Sequence, residues 1–248
     1  MGKYRRFSDA SVSERLMDTM FLITIGIGYL FALTYMFFSH SERDGEAGLS
    51  VDDIKIAYYG EHLITRLGAA LNGSMSDNLE FPQQKQIIFD WIDKGTKEDT
   101  FKTEIAPILN DNCIACHSVE AEMGLPPLTS YNEVLAFTKM DTGISIHSLV
   151  RVSHIHMFGI AFILFLVGRI FVLCEMSVKL KRAMVIIPFL AILIDILSWY
   201  LTKITPGFAL LVIVSGGLMG ISLCAQILIS MYQMWFYTPK RKRKHVDL

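Results

Sequence analysis

Several things are missing or scarce in this chain, and each absence narrows what it can be. The 248 residues hold no internal repeat and no low-complexity tract, so neither a solenoid nor a compositionally biased, disordered protein is expected. Four cysteines are too few for a disulfide scaffold. Two of them, Cys174 and Cys224, fall inside or at the ends of apolar runs and read as small buried apolar residues. Net charge is nearly absent as well, at -1, yet this balance hides a segregation. Lys and Arg cluster at three places, while most of the acids lie between residues 41 and 141. Such a pattern speaks to membrane topology, and no nucleic-acid partner is expected.

What the chain does have is apolar length. Hydrophobic residues make up 52% and mean hydropathy is +0.41, too apolar for an ordinary soluble domain of this size. Residues 21–38 carry no charge and approach the length of about 20 residues that a spanning helix needs. The run exceeds the roughly 7–15 residues of a signal-peptide core, and Ser39-His40-Ser41-Glu42-Arg43 offers no small-residue cleavage site. A retained anchor is therefore expected. Three further runs follow a long polar segment, at residues 151–174, 183–201 and 208–236, the last two joined by a short turn at 202–207. The expected fold class is mainly α: four transmembrane helices plus a small helical extracytoplasmic domain at 39–150.

Orientation follows from the basic clusters. Lys3, Arg5, Arg6 and Arg15 lie in or near the N-terminal segment 1–20, Lys179, Lys181 and Arg182 in the connection 175–182, and Lys240 to Lys244 in the tail 237–248. By the positive-inside rule all three belong in the cytoplasm. The domain at 39–150 then lies outside, in the periplasm of a Gram-negative bacterium, with the chain multi-pass in the inner membrane and both termini cytoplasmic. Its lipid contacts include anionic headgroups gripped by the basic tail.

The remaining cysteines form one motif, Cys113-Ile114-Ala115-Cys116-His117. Two thiols about one helical turn apart can form thioethers to the two vinyl groups of one porphyrin, and the adjacent His is delivered to the iron as proximal ligand. A zinc half-site would want a second Cys/His pair, and the loop has no other cysteine. One covalently attached haem c is the expectation. Around the motif, residues 82–95 read as a helix, with Pro82 in its first turn, Ile88, Trp91 and Ile92 on one face and Gly95 closing it. A second helix over Phe101 to Leu109 leads into the motif, kinked or divided at Pro107.

The succession DWIDKG, TEIAPILNDNCIACHS and LPPLTSYNEVL resembles the planctomycete-type group of cytochrome c domains over roughly residues 85–136. The whole chain also resembles a family of small bacterial membrane-anchored monohaem cytochromes, with TRLGAALNGSM before the motif and SHIHMFG opening the next membrane helix. That resemblance implies haem binding and electron transfer at a membrane. It supplies neither reaction nor partner.

The sixth iron ligand stays open. Met75 lies in a polar turn where a lone thioether has no evident amphipathic role, Met140 follows a helix-like stretch from Tyr131 to Lys139, and His154 and His156 open the second apolar run. Met123 sits close after His117, where reaching the far face of a porphyrin needs a tight reversal. Residues two apart on a helix diverge by about 200°, so at most one of the two histidines serves a given iron. Asp195, deep in the third run, is expected at the depth of His156 and in reach of it as an intramembrane polar pair. Gly216 and Gly220 form a small-xxx-small pattern for close helix approach, which would suit a homo- or hetero-oligomer.

The functional expectation is an electron-transfer cytochrome at the outer face of the inner membrane, beside or within a respiratory complex, with a soluble cytochrome or that complex as redox partner. A haem-based redox or gas sensor, and a structural or assembly subunit of a membrane oxidoreductase, remain alternatives. An electron carrier is favoured over a stand-alone enzyme, because no nucleophile or acid/base pair surrounds the motif.

Overall fold

The computed structural model describes residues 5–73 and 75–237; Lys3, Ser74 and the basic tail at 240–244 lie outside them. Among the described residues the regular structure is helical, with no strand. One isolated antiparallel bridge joins Thr65 to Met140. The helices are α1 (Val12–His40), α2 (Val51–Tyr58), α3 (Arg66–Asn72), α4 (Pro82–Asp93), α5 (Glu98–Thr100), α6 (Ala106–Asn112), α7 (Tyr131–Leu135), α8 (Ile146–Phe171), α9 (Val178–Ile204) and α10 (Ala209–Trp235).

Four of these, α1, α8, α9 and α10, are long and apolar enough to cross a membrane. The protein is a multi-pass membrane protein. Each helix differs in its limits from the apolar run that announced it: α1 starts nine residues before 21, α8 five residues before 151, and α9 extends beyond 183–201 at both ends. Backbone hydrogen bonds continue past the hydrophobic boundary because flanking Arg, Lys, Ser and His tolerate helix well. The turn at 202–207 is correspondingly shorter, since α9 runs to Ile204 and Pro206–Phe208 is a 3-10 turn.

The chain divides into two compact units. One comprises the residues up to Met36, His147–Trp199 and those from Leu210 onward; the other comprises Phe37–Ile146 and Tyr200–Ala209.

In the first unit α10 is the central contact. Near its end Trp235 donates to Thr19 of α1, and the Arg15 guanidinium lies over the Trp235 ring. A Cβ at Gly220 would collide with the Tyr29 phenol of α1, and one at Gly216 would sit 3.8 Å from the Asp195 carboxylate of α9. The close approach allowed by the Gly216/Gly220 pattern is thus used inside this chain. Cys174 is buried beside Ser230, whereas Cys224 is exposed, which corrects the expectation that both are buried.

Pro188 stands inside α9. Having no N–H, it cannot donate to the Met184 carbonyl four residues earlier. Gln226 of α10 supplies the missing donor, its Nε2 lying 2.7 Å from Met184 O. A neighbouring side chain satisfying a proline-freed carbonyl is what an apolar surrounding demands.

The second unit holds the motif. Its core gathers Leu67, Leu71, Ile88, Trp91, Ile105 and Leu109. Pro82 opens α4, where its missing N–H costs nothing, and Gly95 ends it at φ 88°. The Trp91 indole donates to Lys97 O and the Tyr131 hydroxyl to Thr96 O, so two aromatic donors clamp the 94–97 turn. The expected helix from Phe101 to Leu109 is divided: a π-helical stretch at Phe101–Ile105 precedes α6. Pro107 explains the break, because the wider turn removes the need for its absent N–H.

Candidate functional site

Helix α6 delivers the motif. Cys113 N–H continues its ladder to Leu109 O at 2.8 Å, and His117 N–H donates to Cys113 O at 2.8 Å. Cys113 and Cys116 are therefore held about a turn apart, both free thiols, the first half-buried and the second exposed. Burial pushes the Cys113 thiol up from its ordinary value, and the neighbouring Cys116 adds to the shift. Asn112 steadies the approach: its amide donates to Ile108 O and its carbonyl accepts from Glu80 N–H.

After His117 the chain loops out and returns. Leu128 N–H donates to His117 O at 2.9 Å, with the Leu128 side chain buried in the core. Pro126 O lies 2.8 Å from His117 Nδ1. A carbonyl can only accept, so Nδ1 carries the proton and Nε2 is left as the bare lone-pair nitrogen. The arrangement offers two thiols and one oriented imidazole nitrogen. Among the described residues no group of three or more His, Cys, Asp or Glu side chains is gathered as a metal cage, so His117 offers a single ligand.

The sulfur candidates fall in this same unit. Met75 packs partly buried against the core, and Asn78 Nδ2 lies 3.7 Å from its Sδ. The thioether thus has a packing role that a polar turn did not suggest, because the turn folds back onto the helices. Met140 is 56% exposed and its backbone is held in the bridge to Thr65. Helix α7 stops at Leu135, short of the expected Lys139, where Phe137 and Lys139 carbonyls turn to accept from Leu67 and Arg66 N–H. Met123 is exposed.

His154 and His156 lie on α8 in the first unit, both exposed. His156 Nδ1 is 2.9 Å from Val152 O, and its ring meets Trp199 edge to face at 5.4 Å between centroids. The expected direct pair of His156 with Asp195 is corrected here. Asp195 is buried and accepts from the Ser215 hydroxyl at 3.0 Å and from the Trp199 side chain. Trp199, on the same helix as the carboxylate, reaches it and meets the histidine ring at 83°. Sequence reading missed Pro126, Asn112, Ser215 and Gln226. Only Gln226 carried a signal, an amide in the middle of an apolar run with Pro188 on the preceding helix.

A family model described as a transmembrane helical domain matches residues 126–244. The match takes in α7 to α10 and starts beyond His117, so it supports the membrane part and is silent on haem. No curated protein and no solved structure matches the chain.

Proposed function

We propose that this chain is a membrane-anchored c-type cytochrome that carries electrons at the outer face of the bacterial inner membrane, with one haem c bound through Cys113, Cys116 and His117. The observation that carries this reading is the hydrogen bond from His117 Nδ1 to Pro126 O. A ligating imidazole needs its second nitrogen fixed by an acceptor, which sets the tautomer and raises the basicity of the first. Here that acceptor is built in, nine residues further along the chain, for a histidine that directly follows two free thiols at thioether spacing. The donor set fits a porphyrin better than a bare ion: a single protein nitrogen is enough when the macrocycle brings its own four.

When bound, the haem supplies an iron that cycles between two oxidation states. The residues of the chain then divide the work. Cys113 and Cys116 would hold the group covalently and His117 would ligate its iron, with the imidazole ring oriented by Pro126 O. The exposed position of Cys116 keeps that edge near solvent, where an electron can pass to a soluble carrier or a respiratory complex. Topology supports the outer face. Arg5, Arg6 and Arg15 before or in the first turns of α1, and Lys179, Lys181 and Arg182 in the first turns of α9, favour those ends inside by the positive-inside rule, which supports an outer position for the segment between α1 and α8.

The test is covalency. Protein from a host that matures c-type haem should retain a haem after acid-acetone extraction and show it on a denaturing gel. Cys113→Ser with Cys116→Ser should abolish both signals. Extraction of all colour from the wild-type protein would end this reading.

A further inference from the structure

The loop that closes over His117 carries a surface the haem reading does not account for. Val119 is 73% exposed, Met123 61% and Leu125 40%, three apolar side chains within seven residues. The loop is fixed where it leaves and returns, by Ala121 N–H to Ser118 O and by the two ties from Pro126 and Leu128 to His117. A preorganised exposed apolar patch marks an interaction site.

Charge says what covers it. Between Lys102 and Lys139 the sequence has no Lys or Arg, but it has Glu104, Asp111, Glu120, Glu122 and Glu133. Asp111, Glu120 and Glu122 are exposed around the motif and its loop. The whole segment from 39 to 145 holds 18 acidic residues against 8 basic ones. A second copy of the chain would set acid against acid, and anionic lipid headgroups would be repelled. A cationic protein is drawn in and oriented, and steering of this kind raises association rates by about 10- to 1000-fold at low salt.

We propose that the apolar loop at Val119, Met123 and Leu125, with its acidic surround, is the docking surface for a lysine-rich soluble protein carrying its own redox centre. This rests on the reading of the chain as a c-type cytochrome. Docking there brings the partner to the exposed Cys116 side, so that one electron leaves the reduced chain and one enters the oxidised partner.

The experiment uses the full haem-loaded chain in nanodiscs of neutral lipid, after its covalent haem has been verified. The reduced chain is mixed in a stopped-flow instrument with an oxidised lysine-rich cytochrome c, or with the same protein after succinylation of its lysines. The native probe should react at least tenfold faster than the succinylated one at low salt, and its rate should fall about tenfold as salt rises to physiological strength. Asp111→Asn, Glu120→Gln and Glu122→Gln together should lower the low-salt rate severalfold and flatten the salt dependence. The charge-matched set Asp93→Asn, Glu98→Gln and Asp99→Asn should do neither. A rate indifferent to salt, or equal losses from both sets, overturns the docking surface while leaving the cytochrome intact. Absence of covalent haem at the first step overturns both.

Discussion

Replacing Gln226 by Leu isolates one interaction that the membrane helices depend on. The side chain donates to Met184 O at 2.7 Å, a carbonyl left open by Pro188. Interhelical hydrogen bonds in membranes contribute about 0.6 kcal/mol on average and ~1.7 at most. Leaving a buried acceptor unmade costs ~1–3 kcal/mol. One term works in the opposite direction: Gln226 Oε1 is buried with no partner among the described residues, and Leu removes that cost. The expected net loss is about 1–2 kcal/mol. Pro188→Ala returns an N–H to the Met184 carbonyl through the helix's own ladder. In that background Gln226→Leu should cost under about 0.5 kcal/mol, or become mildly stabilising, giving a coupling of about 1–2 kcal/mol. Reversible unfolding in mixed micelles, followed by far-UV circular dichroism for the four members of the cycle, measures it. Equal costs of Gln226→Leu in both backgrounds would show that the proline-freed carbonyl is not what the amide serves.

Glycine and titration tests reach the second unit. Gly143, at φ 66°, has no room for a Cβ against the Tyr58 backbone, so Gly143→Ala should destabilise that unit by more than about 3 kcal/mol in a thermal melt, combining strain and collision. Gly95→Ala, at φ 88° with open space around it, should cost only the backbone strain, about 1 kcal/mol. Burial, and secondarily Asp141, push the Glu61 carboxyl up from its ordinary value. The folded state therefore keeps that proton to higher pH than the unfolded chain, and the stability the group contributes is lost as pH rises through the folded-state value. Glu61→Gln should remove this decline, which sets in as pH rises past the ordinary glutamate range, and an unchanged pH profile of the melting temperature would refute it. In protein without haem, Cys116 should be alkylated faster than Cys113 at neutral pH, because Cys113 is half-buried and its thiolate forms at higher pH; mass spectrometry of the labelled peptides distinguishes the two.

How much of this was legible in the residues varies with the range of the interaction. Helix α4 was readable to its ends because Pro82, the Ile88 and Trp91 face and Gly95 are local signals. The division before α6 was foreshadowed by Pro107, a local defect with a local consequence. For Met75 the sequence leaves the contact open, since nothing in a polar turn says which way it folds, and the fold brings the side chain against the core. Asp195 was correctly marked as a residue needing a partner and given the wrong one. Equal depth on two helices does not settle contact when Trp199, one turn further along the same helix, already reaches the carboxylate.

By itself, the sequence determined the four apolar spans, the basic flanks and the spacing of Cys113, Cys116 and His117, because hydropathy, charge and a fixed covalent spacing act over a few residues each. The tertiary structure alone decided that Pro126 holds the His117 ring, that Gln226 completes α9 around Pro188, and that Gly216 and Gly220 receive helices of this same chain. Each of these joins groups separated by nine to about two hundred residues. Such pairings are selected by packing of whole elements, which satisfies buried polar groups wherever a donor or acceptor happens to be brought near.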